Sequence, residues 1–305
     1  MKIRTNVKLN LGLSVLGKRA DGYHDLETLF IPYYGLGDWL EIEEAPSFGV
    51  SVEPCSWDPM TDLSVRAYKL LRHDFDLPPV RIRLEKGAPV GAGLGGGSAD
   101  ATFALKLLSE LFGLGLTDEA LASYAARLGS DCPFFVYNRP MLAKGRGELL
   151  TPFGLDLSGY EIRVVVPEGI SVSTREAYSG VIPRGYGSAV ESARSGSAGD
   201  RFSAVGSAAA ESAGIGNPGA VGPLSGAVSS ASEGVSSGEK LIPLEEALSR
   251  PVEEWRGCLV NDFERSVFAL HPELAQLKER LYAEGAVYAA MSGSGSALFG
   301  LWKKS

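Results

Sequence analysis

From Lys8 to Val15 the sequence Lys-Leu-Asn-Leu-Gly-Leu-Ser-Val alternates apolar and non-apolar residues without a break. That is the two-residue period of a strand; a helix would scatter Leu9, Leu11, Leu13 and Val15 around its circumference. The alternation predicts a strand whose core face carries those four residues, while Lys8 and Asn10 share the opposite face. Gly17-Lys-Arg-Ala-Asp-Gly22 reads as a turn that returns the chain into Tyr23–Tyr33 as a partner strand or strand pair. Further strands are expected at Trp39–Glu44 and Val80–Leu84, and helices at Asp62–His73, Ser98–Phe112 and Thr117–Leu128, the last opening on a capping threonine and two acids. The first half of the chain is therefore mixed α and β.

Pro89-Val-Gly-Ala-Gly-Leu-Gly-Gly-Gly-Ser98 runs directly into the helix-compatible segment Ala99–Leu108. Gly91, Gly93, Gly95, Gly96 and Gly97 lack the Cβ atoms that would keep backbone amides away from a ligand, and the free N–H groups of a helix start favour anions. The segment reads as a phosphate pocket. It is neither a Walker loop, which ends in Gly-Lys-Ser/Thr, nor a dinucleotide fingerprint with its distant acid. A formal charge of −8 leaves no basic footprint for nucleic acid, so any phosphate must be gripped locally.

Asp131 lies in Gly129-Ser-Asp-Cys-Pro-Phe-Phe135, among apolar neighbours where a carboxylate needs either a capping task or a cation. Lys8 is the candidate cation. No His, Cys, Asp and Glu cluster has metal-ligand spacing, so a divalent cation would arrive with a nucleotide, with Ser98 as a possible contact. Cys55, Cys132 and Cys258 fit neither a disulfide framework nor a zinc site and are expected to be reduced. No apolar run approaches the roughly 20 residues of a membrane span, and the N-terminal residues carry no secretory pattern. A cytoplasmic protein without membrane or nucleic-acid partners is expected.

A second α+β domain is expected from residue 153, giving domains 1–152 and 153–305. Its signals are a strand at Glu161–Val166, an amphipathic helix at Pro272–Glu284, and strands Ala286–Met291 and Ala297–Trp302 around the glycine loop Ser292-Gly-Ser-Gly-Ser296. Between residues 187 and 238, Gly, Ser and Ala make up 35 of 52 residues, a composition with too little apolar surface to offset ordering and read as an inserted segment.

Taken together, these segments resemble the GHMP kinase superfamily. The residues that carry the resemblance are Lys8–Leu13, Gly17–Phe30 with its Ala-Asp-Gly-Tyr-His core, Pro89–Thr102, Gly129–Phe135 and Ser292–Gly295. The resemblance implies a two-domain α+β fold, ribosomal-S5-like at the N-terminus and ferredoxin-like at the C-terminus, with the active site between the domains. It implies ATP and Mg2+ as cofactors, and a small-molecule alcohol as acceptor, here a cytidyl diphosphate sugar alcohol. Lys8 and Asp131 become the catalytic pair. Pro89, Val90, Gly91, Ala92, Gly93, Leu94, Gly95, Gly96, Gly97 and Ser98 bind ATP. Asn10, Tyr23, His24, Thr174 and Tyr178 bind the acceptor, with cytosine between Tyr23 and Tyr178. The implied enzyme is a monomer or homodimer. Two other readings stay open, a family member acting on mevalonate, homoserine or a sugar, and a nucleotide-binding regulator without catalysis. Departures from the family pattern are Ala99 in place of a second serine, Asn6-Val7 where Pro-Ala is common, Tyr178 in place of phenylalanine, and the insertion.

Overall fold

A computed structural model describes residues 1–184 and 242–304; the insertion expected at 187–238 lies outside the described residues. The chain starts with strands β1 (Lys2–Arg4), β2 (Val7–Lys18), β3 (His24–Tyr33), β4 (Trp39–Glu44) and β5 (Gly49–Glu53), followed by helix α1 (Leu63–Phe75), β6 (Val80–Glu85) and α2 (Gly96–Leu111). Then come α3 (Asp118–Ala126), α4 (Cys132–Tyr137), β7 (Met141–Lys144), β8 (Leu149–Pro152), β9 (Tyr160–Val165) and α5 (Thr174–Ser179). The helices Phe263–Leu270 and Pro272–Ala283 precede β10 (Tyr288–Met291) and β11 (Leu298–Lys303).

Among the described residues these strands form three sheets, in the orders β1-β4-β6-β5, β2-β3-β7-β8 and β10-β11-β9. In β6 the sequence Val-Arg-Ile-Arg-Leu-Glu alternates buried and exposed along its whole length. Its outward arginines stand opposite acids on β4, Arg81 against Glu43 and Arg83 against Glu41, so register and surface charge agree. Under this sheet lies α2, whose residues from Ala99 to Ser109 are nearly all buried. A helix buried nearly all round belongs in a core, and α1 and α4 pack against it. Burying a side chain such as Leu105 contributes about 1.5–3 kcal/mol.

The alternation expected through Lys8–Val15 holds to Leu11 and then breaks. Leu11 pairs with Leu29 and Leu13 with Thr28, leaving Gly12 as an extra residue with φ +65°. One inserted residue moves everything after it to the opposite face. Leu13 consequently lines a cavity together with Lys8 and Asn10, while Leu9 and Leu11 remain in a core cluster with Tyr288, Phe299 and Trp255. Both faces of β2 are buried; Lys8 is 4% exposed and Asn10 2%.

Helix α4, not expected from the sequence, is held at both ends. Thr102 donates to the Cys132 carbonyl (2.8 Å), and Lys106 donates to the carbonyls of Phe135 (2.8 Å) and Val136 (2.7 Å). The Asn6 and Asn138 amides exchange two hydrogen bonds (3.0 and 2.9 Å), tying the strand entry to the end of α4. The departure at Asn6 therefore fixes where α4 stands relative to β2. Cys55, Cys132 and Cys258 are free thiols, and burial pushes the Cys132 thiol up to about 11. Among the described residues, no helix is long and apolar enough to cross a membrane.

Candidate active site

Asp131 occupies the N-cap position of α4, yet its side chain makes no capping bond. It faces Lys8 instead, with Lys8 Nζ 3.7 Å from Asp131 Oδ2, the distance of an ion pair rather than a direct hydrogen bond. The ammonium also donates to Asn10 Oδ1 (2.5 Å) and to the Gly93 carbonyl (3.0 Å). Burial lowers the Lys8 pKa, and Asp131 pulls it back up. Asn10 is engaged at both amide atoms: Oδ1 accepts from Lys8 and from Ser292 Oγ (3.4 Å), and Nδ2 donates to Thr28 Oγ1 (3.0 Å). Its amide thus orients Lys8 as well as lining the cavity.

The glycine loop arches over this lysine. Lys8 N donates to the Leu94 carbonyl (2.9 Å), and a Cβ on Gly95 would come within 3.1 Å of Lys8 Cγ. The C-terminal glycine loop closes from the other side, where a Cβ on Gly93 would lie 2.2 Å from the Ser292 carbonyl. Two backbones approach so closely that only glycine fits. Gly95 also caps α2 with φ +72° and no side-chain bond, which leaves the first amides of a 16-residue helix without a capping acceptor.

Lys8, Asn10, Asp131, Gly91, Gly93, Gly95, Ser98, Thr174 and Tyr178 line one cavity of about 370 Å³. Ala92 and Leu94 are buried under the loop, Val90 is exposed, and Pro89, Gly96 and Gly97 do not face the cavity. Tyr23 and His24 line a second cavity of about 670 Å³. The two share Gly129, Ser130, Arg146, Thr174 and Tyr178, so they form one continuous cleft. His24 stacks on Tyr178 with ring centroids 4.7 Å apart, and Phe263 meets the Tyr178 ring edge-on. The Tyr178 face expected to receive a base is covered by His24, so a base held there requires the imidazole to turn aside. Thr174 Oγ1 lies 3.5 Å from Ser294 Oγ.

The sequence reading missed Arg146 and Phe263, and it singled out the loop that holds Ser294 without giving that residue a place in the site. Arg146 carried a faint signal, since Gly145-Arg-Gly147 marks a turn; Phe263 carried none. Equally unforeseen is a buried cluster at the root of the glycine loop. Lys86 bonds both Asp38 and Asp100, and Asp38 Oδ1 accepts from the amides of Gly87 and Ala88, each at 2.7 Å. Burial works against the Lys86 charge, but the two carboxylates outweigh it and its pKa is raised. One lysine cannot balance two buried acids, and the surplus falls on Asp100, pushed up to about 8 by burial.

Residues 62–139 match the GHMP kinases N terminal domain and residues 244–305 the GHMP kinases C terminal domain. The chain is 42% identical over 303 residues to 4-diphosphocytidyl-2-C-methyl-D-erythritol kinase of Bacteroides fragilis, across 97% of this chain and 90% of the relative. The chain belongs to the 4-diphosphocytidyl-2-C-methyl-D-erythritol kinase family, within the GHMP kinases. The protein of that name from Porphyromonas gingivalis is 41% identical, across 100% of this chain and 93% of its own. A crystal structure titled 4-(cytidine 5'-diphospho)-2C-methyl-D-erythritol kinase superposes with a TM-score of 0.68 at 33% identity, covering 99% of this chain and 90% of that one. Methanococcus jannaschii mevalonate kinase, at 13% identity and a TM-score of 0.60 with 99% and 90% covered, shares the fold alone. The two-domain α+β architecture of the kinase family is thus the fold of this chain.

Proposed function

We propose that this kinase transfers the γ-phosphoryl group of ATP to the 2-hydroxyl of 4-diphosphocytidyl-2-C-methyl-D-erythritol, a step of the non-mevalonate route to isoprenoid precursors. The observation that carries the reading is the arrangement of the cleft: Lys8 and Asp131 with the glycine loop at one end, Tyr23, His24 and Tyr178 at the other. The names of the relatives agree with it.

In this reading the β- and γ-phosphates lie over Gly91, Gly93, Gly95 and Ser98, held by loop amides and the start of α2. Asp131 accepts or orients the proton of the attacking hydroxyl, and Lys8 orients that carboxylate and offsets charge building on the transferred group. Asn10 sets the lysine's direction, while Thr174 and Ser294 border the acceptor. The ring of Tyr23 stacks on cytosine, Tyr178 flanks it once His24 has turned, and His24 bonds the base edge; stacking of this kind is worth about 1–3 kcal/mol per base. Ser98 lines the cavity, and its hydroxyl would hold a magnesium ion that arrives with ATP. The metal supplies charge neutralisation on the phosphates. A division of the chain at residues 152/153 into nucleotide and substrate domains, a cytoplasmic setting, and a monomer or homodimer complete the proposal.

Its test is ATP-dependent phosphorylation of 4-diphosphocytidyl-2-C-methyl-D-erythritol by the purified protein with Mg2+, beside a panel of cytosine-free alcohols and Tyr23→Ala. Turnover confined to the cytidyl substrate, with its KM raised about 10–100-fold in Tyr23→Ala and the KM for ATP unchanged, is expected. Comparable turnover of mevalonate or homoserine sinks the substrate assignment.

A further inference from the structure

The two cavities have different chemistry and meet in a throat. An alcohol reaching Asp131 and a cytosine reaching Tyr23 must be joined through that throat, and in the substrate proposed above the joining group is a diphosphate. Of the five residues common to both cavities, Gly129, Ser130, Arg146, Thr174 and Tyr178, only Arg146 is cationic.

The other cations near the cleft are committed or misplaced. Lys8 is held by Asn10, Gly93 and Asp131; Arg127 lines only the second cavity and lies 3.7 Å from Asp74; Arg175 also lines only the second cavity. Arg146 is loosely tied. Its Nε is 3.6 Å from Glu148 Oε1 at a partly exposed site, a pair worth at most about 1 kcal/mol. Its guanidinium lies 4.9 Å from the centroid of the Tyr23 ring, which is itself 58% exposed. The supporting turn is built for close approach: Gly145 and Gly147 flank the arginine with φ +70° and +112°, and a Cβ on Gly147 would lie 3.5 Å from Asp131 Oδ1. The turn that carries Arg146 thus abuts the catalytic carboxylate while its side chain reaches the aromatic end.

We infer that Arg146 is a specificity-determining residue that grips the diphosphate of the acceptor in the throat and spans from there to the Tyr23 ring. A planar guanidinium suits two phosphate oxygens at once, and it can stack on an aromatic face while doing so. The grip distinguishes a nucleoside diphosphate from the bare nucleoside, which the aromatic end alone cannot do. The inference rests on the cytidyl-diphosphate reading of the cleft.

The test is binding of cytidine, CMP and CDP to the full-length protein and to Arg146→Met and Arg146→Lys, with KM and kcat for the cytidyl acceptor and for ATP measured alongside. The wild type is expected to bind CDP about 30-fold more tightly than cytidine. In Arg146→Met that ratio contracts to about threefold, cytidine itself loses little, the acceptor KM rises while the KM for ATP holds, and Arg146→Lys restores part of the ratio. An unchanged CDP-to-cytidine ratio in Arg146→Met overturns the inference, as does an equal loss for cytidine and CDP. A wild type that binds none of the three overturns the cytidyl reading and this inference with it, and is told apart because it fails before Arg146 is altered.

Discussion

Two buried lysines flank the glycine loop, and their surroundings differ in a way that separates chemistry from architecture. Lys86 is clasped by two carboxylates, one of which also holds the amides of Gly87 and Ala88, and its pKa is raised. Lys8 has one carboxylate, 3.7 Å away and facing a cavity, and its pKa is lowered. The first cluster is closed and anchors the root of the loop. The second is left loosely paired beside open space, the arrangement a group needs if it is to meet charge that appears only during reaction.

Substitutions can break this contrast. The largest effect is expected from Asp131→Ala: kcat falls about 1,000-fold or more while the melting temperature stays near wild type, because the side chain caps nothing. Turnover and thermal unfolding measured together decide it, and a large drop in melting temperature would assign Asp131 to architecture. Lys86→Met reverses the pattern. Leaving Asp38 and Asp100 buried without their cation should cost about 3–5 kcal/mol in urea unfolding, largely recovered in Asp38→Asn/Lys86→Met/Asp100→Leu.

A further effect concerns pH. The Asp100 carboxyl titrates near 8 in the folded chain against 3.8 ordinarily, so between those values the folded state holds a proton that the unfolded state has released. Its contribution to stability is complete below about pH 4 and is lost as pH rises toward 8. Melting temperatures recorded from pH 5 to 8 should fall in the wild type more steeply than in Asp100→Asn; parallel curves would mean that the surplus charge is borne elsewhere.

Much of the frame was legible because local pattern and tertiary setting agree. β4 runs from Trp39 to Glu44 as expected, and the helix expected at Pro272–Glu284 runs from Pro272 to Ala283. The short strands β1, β5, β7 and β8 were not legible, since three to five residues carry too little periodicity to stand out. Cys-Pro-Phe-Phe-Val-Tyr looks no more helical than extended; α4 owes its form to Thr102, Lys106 and Asn6, all distant in sequence. The same reason hides Asp38, Lys86 and Arg146: a lone charge gives no sign of what faces it. Asp131 and the glycine loop could be singled out because each stands in a segment whose neighbours are incompatible with an idle charge or an idle run of glycines; Lys8 entered only as the candidate partner of Asp131 and through the family resemblance. The inversion of Leu13 was lost to a bulge that one glycine creates.

The hydrogen bond between Ser292 and Asn10 joins residues 282 positions apart. Because Asn10 in turn orients Lys8, the reactive end of the cleft is assembled only when β2 and the last glycine loop have found each other. Contacts so remote along the chain are entropically costly to close and form slowly. Recovered activity is therefore a clock for the late stage of refolding: secondary structure and much of the core around α2 can return while the enzyme is still silent, and turnover reports the moment when the two ends of the polypeptide meet.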